Sequence, residues 1–323
     1  KCPQTPAHRK PAPAPAPEDP LVIPDEEVVS IEQEEDTTTP PHAAPATRPY
    51  LAPGWVRPQP ANQPFRMALW GDSHMAAGFF SAELIRLLGL GADQVRSTFI
   101  PATMNRPGVR LPFRKTCVTS GWRYESAHVG ADGARFAGPA MVNLFANKPN
   151  EMLAYDLRDS SSQAVYAQAT LLFQQTSEPI RLSISVNQGA EQEVLLNGPA
   201  GPTRLELRAD GPVSILTLRL LEGDLRFHGL QLPALNSTRL QFDVFAYPGA
   251  TVSGWKTADL NYLKPWFKDV EFDAVMLAYG TNEGAQKPFN PAAYRALLDG
   301  SLKNMRELFP QSACLLIGPG DRL

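Results

Sequence analysis

Cysteine is scarce, with 3 in 323 residues, and histidine barely less so, with 5. Neither type is clustered, so a metal centre has no support. Cys117 and Cys314 are far apart in sequence. They could pair in an oxidising compartment or stay as buried thiols, and their number decides nothing. Net charge is also small, −3 with a pI near 6.0. That excludes the broad basic surface of a nucleic-acid binder. No apolar run approaches the roughly 20 residues of a membrane helix, so no span is expected. What remains is a chain that is 43% hydrophobic, enough to bury one large core or a core with a smaller satellite.

Proline, by contrast, is abundant at 32 residues. Half of it lies in residues 1–65, beginning with the alternating Pro-Ala run from Pro11 to Pro17. Glu26, Glu27, Glu34, Glu35 and Asp36 then make an acidic stretch with no aromatic residue before Tyr50. Such a segment buries too little surface to offset its chain entropy, and Pro-Ala alternation favours extended polyproline geometry. Residues 1–65 are therefore expected to be a disordered, semi-rigid spacer; a proline-rich ligand for a partner domain is the alternative. Cys2 beside such a spacer is similar to a lipid-anchored N-terminal cysteine, which Lys1 in front of it contradicts. Any export signal or lipid anchor is expected to have been upstream and removed, or never to have existed.

From Phe65 the pattern changes. Arg66–Trp70 is a short apolar run ending in Gly71-Asp72-Ser73-His74, followed by a helical pattern through Phe79, Leu84, Leu87 and Leu88 up to Gly89 and Gly91. Strand, glycine turn and helix form the first unit of a parallel α/β sheet. The signature returns late. Strands are expected at Leu240–Ala246, Phe272–Ala278 and Ala313–Ile317, with helices over Val252–Phe267 and 291–308. Between them, residues 180–186 and 204–210 alternate apolar and polar positions, separated by Gly-Pro and Asp-Gly turns. That period predicts antiparallel strands with one wet face. The reading is an all-β sandwich over 105–236, inserted into an α/β domain made of 66–104 and 237–323.

In a parallel α/β sheet, functional groups collect beyond the carboxyl ends of the strands. Three loops there carry polar or glycine residues: Gly71-Asp72-Ser73-His74, Pro248-Gly249-Ala250 and Gly280-Thr281-Asn282-Glu283. A serine opening a helix after a strand presents its hydroxyl near the helix's positive end. A glycine N–H and an asparagine amide nearby can hold a developing oxyanion. Each has an ordinary alternative: Ser73 as a helix cap, Gly249 as a turn residue after Pro248, Asn282 as a cap. Asp72 is expected to shape its loop, His74 to face substrate or pack, and Glu283 to hydrogen-bond its loop. His228 reads as structural and His128 as a loop residue of open role. Trp122, Trp255 and several tyrosines could stack on sugar rings or simply pack.

Taken in order, these blocks resemble the SGNH/GDSL-type hydrolases. Gly71-Asp72-Ser73-His74 is similar to that family's first block, Gly249 to its second and Gly280-Thr281-Asn282-Glu283 to its third. With the β-insert between the first two, the chain resembles the bacterial peptidoglycan O-acetylesterases, whose insert is carbohydrate-binding-module-like. The resemblance implies a flavodoxin-like three-layer sheet and a cofactor-free serine esterase in the periplasm or at the cell surface. Ser73, Gly249 and Asn282 would be its catalytic residues, Asp72 a support and His74 a substrate contact. Its partner would be an acetylated glycan, with acetyl leaving the C6 hydroxyl of N-acetylmuramic acid through an acyl-serine intermediate.

One block is not matched. The family's fourth, Asp-x-x-His, supplies the base and its orienting carboxylate, and none of the five histidines follows an Asp by three positions. The expectation is that the C-terminal part of the domain is missing here. Two further readings share these residues: a glycan O-acetyltransferase on the same fold, and a glycan-binding protein with an incomplete site.

Overall fold

The computed structural model describes residues 63–285 and 288–319. Most of the expected spacer and the Asp321-Arg322-Leu323 terminus lie outside them. Strand β1 (Phe65–Gly71) runs into helices α1 (Ser73–Ala76) and α2 (Phe79–Leu87), then β2 (Val95–Arg96) and β3 (Phe99–Pro101). Next come β4 (Lys115–Val118), β5 (Arg123–Ser126), α3 (Ala131–Arg135), β6 (Val142–Ala146) and β7 (Met152–Asp156). An all-strand stretch follows: β8 (Ala169–Gln175), β9 (Ile180–Val186), β10 (Gln192–Leu196), β11 (Gly201–Leu207), β12 (Ile215–Glu222) and β13 (Leu225–Gln231). The chain closes with β14 (Leu240–Ala246), α4 (Ser253–Thr257), α5 (Leu260–Leu263), β15 (Ala274–Ala278), α6 (Thr281–Gly284), α7 (Pro291–Leu308) and β16 (Ala313–Ile317).

Five strands form a parallel sheet in the order β16-β15-β1-β14-β2. Its strands alternate side chains between two apolar layers, as the pleat requires. Ala68 and Trp70 enter one layer, while Leu69 enters the other. The larger layer is aromatic: Trp70 stacks on Phe245 at 4.8 Å and meets Trp255 edge-on at 5.1 Å. Helix α7 packs its Leu297, Leu298, Leu302 and Met305 there, beginning at Asn290, whose side chain accepts from Ala293 N–H, with Pro291 in the first turn.

The remaining strands build two antiparallel sheets, β10-β9-β12-β7-β4 and β11-β8-β13-β6-β5, which share one core containing Leu144, Leu153, Phe173, Leu182, Leu218 and Phe227. Strand β3 pairs with β13, so this ladder begins ahead of residue 105. The sheets are fastened to the helices after β14. Thr257 Oγ1 donates to Ala127 O at 2.7 Å, Trp266 Nε1 to Ala137 O at 3.1 Å, and Arg204 to Trp266 O at 2.8 Å. His228 fills the same seam, with Nδ1 2.7 Å from Asn143 Oδ1 and Nε2 2.9 Å from the Tyr262 hydroxyl.

Several expectations are corrected. The single helix over 252–267 is broken into α4, α5 and a 3-10 turn over Lys264–Phe267. Ala258 leaves helical geometry at ψ 137°, and the Asp259 carboxylate caps a fresh start by accepting from Asn261 N–H. The first helix is likewise divided at Gly78, which has φ +77°. Trp122 and Trp255 are buried in the cores, so neither is a sugar platform. Of the two alternatives left open for Cys117 and Cys314, pairing with each other is excluded, because Cys314 is a free thiol. Among the described residues, no helix is long and apolar enough to cross a membrane.

Candidate active site

Register brings the site together. Gly71 on β1 pairs with Ala246 on β14 and with Ala278 on β15, so three adjacent strands end at one level. Ser73, Gly249 and Asn282 lie within four residues of those ends. Gly71 must be a glycine, because a Cβ there would sit 2.5 Å from Met75 Cγ and 3.0 Å from the Ala278 carbonyl oxygen. That clearance lets α1 start directly over the strand end, where Asp72 N–H donates to Ala278 O at 3.3 Å.

Asp72, not Ser73, is the cap of α1. Its buried carboxylate accepts from His74 N–H at 2.9 Å and lies 3.3 Å from His74 Nδ1. Ser73 is therefore released from the capping role, and its hydroxyl has no hydrogen bond among the described residues. As the first helical residue, it also has a backbone N–H without an acceptor in the helix. The His74 side chain is 64% exposed, outside the strand-end cluster's buried side.

Tyr247-Pro248-Gly249-Ala250 is a tight turn closed by Ala250 N–H donating to Tyr247 O at 3.0 Å. Proline at its second position and Gly249 at its third, with φ +82°, are the signature of a type II turn. The Gly249 N–H is not consumed by that turn. Asn282 spends one amide N–H on Ala250 O at 2.8 Å, which orients the group and leaves the other N–H free. Buried Glu283 joins the two loops: Oε1 accepts from Val252 N–H at 2.8 Å and Oε2 from Gly280 N–H at 3.1 Å. Its expected role as a loop hydrogen-bonder is what the structure shows, and the bond spans 31 residues.

His128 has no role that its sequence neighbours define. It reaches from the antiparallel sheets to this loop, accepting from Thr251 N–H at 3.2 Å through Nδ1. Burial pushes its pKa down to about 4, so the ring is neutral. The Gly254 Cα leaves room for it, since a Cβ would stand 2.5 Å from the ring. No sequence signal links 128 to 251; the contact is made by tertiary closure. Among the described residues, no histidine hydrogen-bonds Ser73 Oγ.

A helix-opening serine, a free turn N–H and an oriented amide follow the ends of three adjacent parallel strands, and they are the kinds of group that acyl transfer uses as nucleophile and oxyanion donors. The same fold occurs in a solved peptidoglycan O-acetylesterase, with a TM-score of 0.58 at 18% identity over 81% of this chain and 69% of that one. The likeness to such esterases expected from the sequence is thus present at the level of the fold. Looser overlaps occur with a family two carbohydrate esterase from Cellvibrio japonicus, TM-score 0.24 and 11% identity over 62% and 78% of the two chains. A family 6 carbohydrate-binding module overlaps at TM-score 0.27 and 9% identity over 43% and 95%. No family model and no curated protein matches the chain.

Proposed function

We propose that this chain carries the nucleophile and oxyanion hole of a serine esterase that removes acetyl groups from a cell-envelope glycan, O-acetylated peptidoglycan at the C6 hydroxyl of N-acetylmuramic acid. On this reading the parallel strands belong to an SGNH-type, flavodoxin-like sheet in 66–104 and 237–323, interrupted by a carbohydrate-binding-module-like β-sandwich over 105–236. Such a substrate sets the place of action outside the cytoplasm.

Ser73 Oγ attacks the acetyl carbonyl carbon, and its proton passes to a histidine. The SGNH pattern supplies that base in Asp-x-x-His, a block not found in these 323 residues. The carbonyl oxygen takes up the negative charge, and the Ser73 N–H, Gly249 N–H and free Asn282 N–H hold it. Collapse breaks the ester bond; the sugar oxygen leaves with the proton, and acetyl stays on Ser73 until water releases acetate. Asp72 holds the helix start that aims the serine, and His74 stands at the open side towards substrate.

The observation that supports this is the common register of Gly71, Ala246 and Ala278, which ends at one level the three strands that Ser73, Gly249 and Asn282 follow. The test is Ser73→Ala in the intact protein. Acetate release from O-acetylated peptidoglycan and labelling by an organophosphonate should both disappear, with the urea unfolding midpoint unchanged. Acetate release that survives the substitution refutes the assignment.

A further inference from the structure

Close to the strand-end loops stands a guanidinium with no carboxylate. Arg106 Cζ lies 5.2 Å from the centre of the Tyr247 ring and 5.7 Å from that of Tyr124, and the rings are 5.8 Å apart. Arg158, Arg181 and Arg226 each pair with an acidic side chain. Among the described residues Arg106 pairs with none, and it is exposed. Ring faces attract the cation without neutralising it. Burial raises both tyrosine pKa values, Tyr124's to about 12, so neither ring supplies a countercharge at neutral pH.

This charge is tied to the site from both sides. Tyr247 opens the Gly249 turn, and its N–H donates to Gly71 O at 3.1 Å. The Arg106 loop is folded by Arg106 N–H to Thr103 O at 3.3 Å and Val109 N–H to Arg106 O at 3.1 Å. It docks on α1 through Arg110 N–H to Ala76 O at 2.9 Å. The Tyr124 hydroxyl donates to the Met104 carbonyl, which fixes the second ring beneath the same loop.

We propose that Arg106 determines specificity for an anionic glycan by receiving a carboxylate that the substrate carries close to its acetyl ester. This rests on the esterase reading for the place of the ester, at Ser73. The guanidinium fork suits a carboxylate, and the two rings restrict its motion beforehand. On a muramic-acid glycan that carboxylate has two sources, the lactyl ether itself or an acidic residue of an attached peptide. A neutral acetylated polysaccharide has neither.

The test is calorimetric binding to the intact protein carrying Ser73→Ala, which cannot consume its ligand. Three O-acetylated muramic-acid fragments serve as probes: one with a free lactyl carboxylate, one with that group as a neutral amide, and one bearing a peptide with free carboxylates. A carboxylate-bearing fragment should bind about fivefold tighter than the amide, the value of a partly solvated charged hydrogen bond. Adding Arg106→Gln should abolish that margin, Arg106→Lys should keep part of it, and high salt should shrink it. Whichever fragment loses its margin names the source. Equal binding of all three, or a margin that survives Arg106→Gln, overturns the proposal. Turnover of acetyl esters by the parent protein reports separately on the esterase reading, and the binding margin decides on Arg106 in either case.

Discussion

At the scale of single residues, the site depends on which groups are tied and which are left free. Asp72 takes the cap, so the Ser73 hydroxyl is free; Ala250 takes one Asn282 N–H, so the other has a fixed direction. Glu283 is the tie that does both jobs at once, and its replacement is informative. Glu283→Gln keeps the shape but turns one acceptor into a donor, facing either Val252 N–H or Gly280 N–H. We expect a stability loss of about 1–3 kcal/mol for the unpaired buried amide. If the loops position the oxyanion donors, kcat on an acetyl ester should fall about tenfold, part of the loss from removing a donor outright. Urea midpoints and steady-state kinetics on the same preparation check both. The positions of Ser73, Gly249, Asn282 and Glu283 after strand ends are legible in the sequence, because a short apolar run announces each strand. Arg106 and His128 are not. Their partners lie 141 and 123 residues away along the chain, at Tyr247 and Thr251, and no local pattern encodes such a meeting.

At the scale of elements, two glycines of the site are needed for different reasons, and the difference can be measured. Gly249 has φ +82° with nothing within 4 Å of a Cβ, so Gly249→Ala meets only backbone strain. That strain is about 1–2 kcal/mol for a residue forced into left-handed geometry. Gly71 has ordinary φ, but its Cβ would collide with Met75 and with the Ala278 carbonyl. Gly71→Ala should therefore destabilise more than Gly249→Ala, by pushing α1 off the strand end, and guanidinium melts of the two variants rank them. Elements with a stop at each end were legible in sequence. Strands at Leu240–Ala246 and Ala313–Ile317 and the helix at Pro291–Leu308 occupy the expected spans, bounded by turns, a cap and a proline. The stretch from 252 to 267 was not, because Trp255, Leu260, Leu263 and Phe267 fall at helix-like spacing while serving three separate short turns. What breaks it is the Asp259 cap and docking on Ala127, Ala134 and Ala137, contacts that only the folded chain supplies.

For the whole molecule, the seam between the antiparallel sheets and the parallel sheet contains three buried titrating groups whose effects oppose one another. His228 is held far below its usual range by burial and by the Arg226 charge, and His128 is pushed down to about 4. In the unfolded chain both take up a proton below about pH 6.5, whereas the native rings stay neutral. Their contribution is thus full above that pH and is lost as pH falls towards 4. Asp243 acts in reverse: burial pushes its pKa up to about 6, despite the donors Thr98 N–H and Phe99 N–H on Oδ1. The native state keeps that proton while the unfolded chain releases it, so Asp243 favours the fold increasingly as pH falls from 6 towards 4. Two protons against one leaves a net decline on acidification of about 1.4 kcal/mol per pH unit between pH 6 and 4. Asp243→Asn keeps the acceptor for both backbone donors and removes the opposing titration, so the decline should steepen to nearly twice that slope. Urea unfolding free energies at pH 4.5, 5.0 and 5.5 test the pair of proteins side by side, pH values chosen within that window. Parallel slopes would mean that Asp243 is ionised in the native state, with the two backbone donors and the Thr98 hydroxyl on Oδ2 together outweighing burial. A steeper slope in the variant places the proton on Asp243, in β14, where it holds Thr98 and Phe99 as the chain passes from β2 to β3.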